Sequence, residues 1–412
     1  MQSTPASTRR WRWRWAPAAC ALLAVLAGFA WLIGAERADQ QAPIVVANAA
    51  PPRPPAVRAV APAALPDPAT RRRQLLEQVQ LTEHTYCNYR DSSKYPHNAR
   101  PIAEQPDQVF PNAAVNETSP MRRDGGGSDP QVLIQTSQTR VYLAAGEAVS
   151  FSLRAVDSDG KVLPLVVTGA SAQALPVGQQ RPLAALALAF VDDGSGADPV
   201  AGDGAFAATL APGQTALAQF NGTIRTRVSY NVGGQGGSVA FDVIHSAELP
   251  AVWSGPAREL RENGGLTYLL KADIRTAGRY VVSGRVDDAR GKPFALLSFN
   301  EVLPTGPNEI RLSVFGKLLR DQAAALPLTL RDVDAYLLKE NTDPDRALMP
   351  RLEGTVLTGK SYPLHSFDDS EWHSEERQRH LAEFAKDARA ARAAWTSFDG
   401  AASLPAPACP LP

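Results

Sequence analysis

Cysteine, methionine and histidine are scarce in this chain, at 3, 3 and 6 of 412 residues. The histidines are scattered at 84, 97, 245, 365, 373 and 380 and form no H-E-x-x-H motif. His84 and Cys87 have the spacing of two metal ligands, but no second pair completes a zinc set. His373, Glu376 and His380 lie in a charge-rich stretch that reads as a solvated helical face. Net charge is absent too: 42 basic side chains balance 42 acidic ones, which argues against a chain-wide grip on nucleic acid. No G-x-S-x-G nucleophile motif occurs. Proline is plentiful, with 34 residues in clusters, and hydrophobic residues make up 44%, enough for packed cores. The length suggests about two or three domains.

One long apolar run stands out. Arg9, Arg10, Arg12 and Arg14 alternate with Trp11, Trp13 and Trp15, and Ala16 to Ala35 follows without a charge. That stretch is about the length of a membrane-spanning helix. Arginines and interfacial tryptophans before it predict a cytoplasmic basic segment (1–15), a single-pass inner-membrane signal anchor (16–35) and a periplasmic bulk. Secretion after cleavage is the alternative, but the nearest small-x-small site, Ala47-Asn48-Ala49, lies well past the run. Residues 36–70 are rich in proline and alanine and predict an extended linker. With Cys20 in the membrane, Cys87 and Cys409 remain. An oxidising periplasm favours a bond between them, while free thiols or bridges between neighbouring copies stay open.

Leu75, Leu76, Val79 and Leu81 recur at helical spacing, so 71–130 reads as a short helix followed by an irregular, proline-punctuated segment that packs through Tyr86, Tyr89, Tyr95 and Phe110. From Gln131 onward the pattern is short alternating strands between Gly, Pro and Asp turns. The fold class is therefore mainly β, with two tandem antiparallel β-sandwiches at 131–247 and 248–366. Residues 367–412 read as a helix and tail, with Ser370 as the cap and Glu371, Glu375 and Glu376 in its first turns.

The stretch "VDDGSGADPVAGDGAFAATLAP" resembles the D-D-G-x-x-x-D-x-x-A-G-D-G-x-(aromatic) signature of bacterial surface and envelope proteins of the choice-of-anchor X kind. "LSVFGKLLRDQAAALPLTLRDVDAYLL" and "LTGKSYPLHSF" are similar to their turn-and-strand pattern, with Ala325-Leu326-Pro327 where that pattern has Gly-Pro-Tyr. The resemblance covers roughly 131–367. It implies Ig-like modules on a variable anchor and carries no activity.

The aspartates of the signature are the candidate site. Asp192, Asp193, Asp198 and Asp203 sit among glycines between two apolar runs, which suits a tight turn. A Ca2+ site is the functional alternative, since carboxylates suit that hard ion, but the spacing is not that of an EF-hand loop. No Gly-Lys-Ser/Thr follows the loop, so it is not a phosphate cradle. "VDSDGK" at 156–161 is a second turn of this kind. "DDARGKPFALLSFNE", from Asp287 to Glu301, reads as a hairpin whose edge could serve recognition. No cofactor is called for. The expected protein is a membrane-tethered, non-enzymatic one using Ig-like modules to bind or display. Its partners are the inner membrane through 16–35 and an unnamed envelope protein or polymer. The alternative is an envelope hydrolase or its accessory domain.

The anchor reading predicts that mass spectrometry of the mature protein finds an N-terminus at or near Met1. An N-terminus at Ala50 would replace the anchor with a cleaved signal.

Overall fold

The computed structural model describes residues 67–176, 182–399, 404, 406–407 and 409–411. The expected anchor, 16–35, and nearly all of the expected linker lie outside the described residues. Among those described, no helix is long and apolar enough to cross a membrane. Strand makes up 43% of the described residues and helix 20%, with several antiparallel sheets.

The first helix, α1 (Pro68–Ser92), starts inside the stretch read as linker. Asp67 caps it by accepting from Ala69 and Thr70 N–H at 3.0 Å each. Pro68 is tolerated because the first helical position has no intrahelical N–H bond to lose. Leu75, Val79, Glu83, Tyr86 and Cys87 form its buried stripe. Leu81 falls on the other face and is 65% exposed. At its depth along the buried face stands Glu83, ion-paired with Arg392 of the last helix. That helix, α3 (Glu375–Phe398), is capped by Ser374, which accepts from Arg377 N–H at 3.1 Å. Ser370 instead bonds Asp368, and Glu371, Trp372 and His373 precede the helix. His373 therefore shares no helical face with Glu376. Ala385, Ala388 and Ala391 bring α3 close to α1, and Trp395 packs with Leu75 and Val79. Cys87 and Cys409 are joined by a disulfide across 322 residues, beside Tyr86 and Ala385.

Between the helices lie two modules, each a pair of sheets around one apolar core. In the first module, β2 (Val115–Arg122), β3 (Ser128–Gln138) and β5 (Val149–Val156) run side by side. β6 (Val162–Leu163) and β9 (Phe206–Leu210) share the far edge of β5. The facing sheet runs β4 (Tyr142–Ala144), β11 (Gln235–Ser246), β10 (Gly222–Val232), β7 (Leu165–Ala174) and β8 (Leu186–Ala187). Its β4–β11 pair is parallel, against the all-antiparallel expectation. β10 alternates buried and less buried residues along its whole length, so one face enters the core as its period of two requires. Phe151, Leu210, Ile224, Val228 and Tyr230 are among the core residues from both layers.

In the second module a six-stranded sheet runs β1 (Ala99–Pro101), β16 (Pro293–Leu303), β15 (Gly278–Asp287) and β18 (Thr329–Leu338). β19 (Arg346–Leu348) and β20 (Leu352–Thr358) line the far edge of β18. Opposite it, β14 (Gly265–Ile274) is flanked on one edge by β12 (Ala251–Trp253) and β13 (Arg258–Glu262), and on the other by β17 (Gly306–Val314). A short helix, α2 (Gly316–Asp321), seals one end through Leu318 and Leu319.

The order is nested rather than tandem. β1 belongs to the second module, and Tyr95 packs in that module's core. The chain then builds the first module from Val115 to Ser246 before returning. The segment expected to be irregular up to 130 thus supplies a strand to each module. The periodic signal was missed because β1 has only three residues and β2 is an edge strand with mostly exposed side chains. Asn300 and Glu301 continue β16.

The modules meet at polar contacts. Arg346 lies over the rings of Tyr142 and Tyr336, one from each module, at 4.9 and 4.8 Å. Ser246 Oγ accepts from Leu348 N–H at 3.1 Å, and Arg140 pairs with Glu353 at 2.5 Å. Next to this junction His245 is buried, with Nδ1 2.7 Å from the Phe220 carbonyl. Burial pushes its imidazole below the usual range, although the Phe220 contact acts the other way. The neutral form is thus favoured in the fold. Its contribution to stability is intact above about pH 6.5 and is lost as pH falls through the depressed value. Thermal melts from pH 7.5 to 5 should show the melting temperature falling, with part of that slope missing in His245→Leu.

Candidate functional site

The aspartate loop joins Val191, bridged to Ala207, with β9. Asp192 accepts from Gly202 N–H at 2.7 Å and Gly204 N–H at 3.0 Å. Asp198, only 2% exposed, accepts from Gly194 N–H at 2.6 Å and Val200 N–H at 3.2 Å. Asp193 turns to Ser195, and Asp203 accepts from Ala205 N–H at 2.8 Å. Gly204 holds φ of 82°, and a Cβ there would meet Val162 at 2.6 Å, so conformation and space both call for glycine. Oxygens of Asp192, Asp198 and Asp203 lie within 4.8 Å of one another, whereas Asp193 stands apart. Three of the four named aspartates therefore converge. The same carboxylates also satisfy the loop's own N–H groups, which is what a tight connection requires. Those three oxygens are the set that could face a cation.

A second constellation lies on the outward face of the six-stranded sheet, where sequence reading saw only the head of a hairpin. Arg285 and Asp287 are on β15, and Arg331 and Asp332 are on β18. Arg285 Nε is 3.1 Å from Asp287 Oδ1, and its Nη2 is 3.5 Å from Asp332 Oδ2. Arg331 Nη1 is 3.4 Å from Asp287 Oδ2. By parity Arg285 and Asp287 point away from the core, yet they are 5% and 3% exposed. They are buried because the connection after β1 crosses over them: Arg285 donates to the Val109 carbonyl, and Asn112 Nδ2 donates to Asp332 Oδ1 at 3.1 Å. Pairing registers shift here, between Gly284 and Arg285, between Val286 and Asp287, and on both sides of Arg331. Asp332 adopts φ of 49°. Such bulges and strained residues re-aim side chains. A concavity of about 460 Å3 opens over the network, bounded by Phe110 to Ala113, Gly291 and Pro293. Asp288, beside it, serves the hairpin turn. Burial acts to raise its carboxyl, but N–H of Lys292, then Arg290, hold it below the usual range.

Another pattern also went unread: Gly354 to Ser361 matches G-x-x-x-x-G-K-S. The structure argues against phosphate there. Most of the octet is strand β20, and no α-helix follows directly. Glu259 Oε1 accepts from Lys360 N–H at 3.0 Å, which sets an anion where a phosphate would sit.

No family model matches the chain, and no curated protein is significantly similar. Among solved structures, a DUF4785 family protein from Legionella pneumophila subsp. pneumophila str. Philadelphia 1 is similar at 14% identity over 55% of this chain, with a TM-score of 0.36. The chain spans 57% of that protein's length. Squid arrestin aligns at 8% identity over 58% of this chain and 96% of its own, with a TM-score of 0.17. The BSP domain of a biofilm associated protein aligns at 11% identity over 62% of this chain and 60% of its own, also with a TM-score of 0.17. At these values none bears on fold or function.

Replacing Asp198 with Ala removes the buried carboxylate that accepts from Gly194 and Val200 N–H, at a cost of about 1–3 kcal/mol in denaturant unfolding. Asp203→Ala, at the exposed end, should cost less. Calorimetry with Ca2+ should find no binding tighter than about millimolar, the weak end for extracellular modules. A micromolar site abolished by Asp203→Ala would assign the cluster to the ion instead.

Proposed function

We propose that this chain is a membrane-tethered, periplasm- or surface-facing protein that binds or displays through Ig-like β-sandwich modules, in the manner of choice-of-anchor X proteins. The observation that carries this reading is the Cys87–Cys409 disulfide. Such bonds persist in oxidising compartments and are rare in the cytosol. An exported body agrees with the arginine-flanked apolar run at 16–35. The two-sheet modules supply rigid, polar-faced surfaces of the kind binding proteins use. On the first module, Asn116, Thr118, Gln135, Ser137 and Arg154 line a shallow groove beside Ala205 of the aspartate loop. On the second, Asp287 and Asp332 are engaged by arginines, an arrangement that suits holding a shape more than donating a proton to a substrate.

The test is a fusion of a periplasmic reporter enzyme after Pro412 in a bacterial host, combined with carbonate extraction and thiol alkylation. An active reporter, a carbonate-resistant membrane pool and one monomeric non-reducing band with only Cys20 alkylated are expected. An inactive reporter, a wholly soluble product, or alkylation of Cys87 and Cys409 without reductant would overturn the reading.

A further inference from the structure

We propose that the concavity over Arg331 and Phe110 is a binding site for a neutral saccharide, an inference that rests on the binding role above and names its ligand class. One guanidinium, Arg285, reaches the Val109 carbonyl, and one carboxylate, Asp287, neutralises it. Asp332 adds to the hold, accepting from Asn112 Nδ2 at 3.1 Å and from Gly354 N–H at 2.8 Å. Arg331 and Asp332 add a second charge pair, and the Arg331 side chain is open to the cavity rather than sealed under the segment. The Arg331 side chain keeps 37% of its surface exposed, so it can reach a ligand in the concavity.

The chemistry of the walls selects the ligand. Two arginines and two aspartates sum to no net charge, so no field favours a phosphate, a carboxylate or a cation. What the floor and rim offer is a close set of planar donors and acceptors: the Arg331 guanidinium, the Asn112 amide and the carboxylates that hold them. Planar groups of this kind match pairs of neighbouring hydroxyls, as a guanidinium fork matches two oxygens. Beside this polar set stands Phe110, 70% exposed. Its backbone neighbours are held by the Arg285–Val109 and Asn112–Asp332 bonds. A ring presented in this way is pre-organised to cover the C–H face of a sugar, which binding otherwise has to order at an entropic cost. The volume, about 460 Å3, lies in the small-molecule range of roughly 300–1,000 Å3.

The experiment is saturation-transfer NMR on the full-length protein in detergent, with maltotriose, cellotriose and chitotriose as probes and inorganic phosphate as competitor. Transfer to the ring protons of at least one trisaccharide is expected. Phe110→Ala removes only an exposed ring and should weaken binding by up to roughly tenfold. Arg331→Gln should weaken it as well, with thermal melts of both variants close to the parent. Phosphate should not compete. Transfer to none of the three sugars, transfer that both variants leave intact, or displacement by phosphate would overturn the proposal. Such a failure leaves the tethered placement untouched, because reporter activity and carbonate extraction read that separately.

Discussion

The hold of Arg285 on the Val109 carbonyl is the contact on which the architecture turns. The chain pairs β1 into the second module, then must leave it to build the first, and the stretch between crosses the outer face of the six-stranded sheet. That stretch is short of regular structure, so its backbone groups need partners elsewhere. Arg285 supplies one from the sheet below, Asp332 holds the Asn112 side chain, and the bulges beneath aim both side chains outward at the segment. Without this pinning the nested order would have a loose strap across its middle.

The helix pair solves a related problem at the chain's ends with little apolar surface. The α1 stripe offers few large apolar residues, and Glu83 occupies one buried position. Polar ties compensate. Arg377, buried at the start of α3, pairs with Glu371 at 2.5 Å and donates to Ser93 Oγ and to the Arg90 carbonyl. Arg90 shares Glu371 at 3.2 Å. The disulfide then closes a loop of more than three hundred residues. In the loop-entropy account a closure of that length stabilises by more than the roughly 4.7 kcal/mol of a 100-residue loop, less any strain.

The two acidic constellations differ in what their charges are for. In the aspartate loop the carboxylates close on backbone N–H groups of the same loop, so the burial of Asp198 is accounted for locally. On the second module the charged groups come from two strands and a crossing segment, and part of the set faces an open concavity. The first is a way of making a turn. The second joins distant parts of the chain, and a ligand could add to it.

Local order was readable from the sequence alone. Alternation along β10 and β18, the turn chemistry around Gly204 and the helical spacing of Leu75 and Val79 each depend on near neighbours, so they show in the order of residues. The aspartate cluster was legible for the same reason, except that Asp193 stands apart from the other three. What depends on distant parts of the chain was not legible. Arg285 and Asp287 alternate as solvent-facing strand residues, and only the crossing segment makes them buried. The nesting of one module inside the other rests on three residues of β1, too few to carry a period. Cys87 and Cys409 were a possible pair until α1 and α3 packed together and brought them within reach. Periodicity records which face a side chain takes, while tertiary packing alone decides what that face meets.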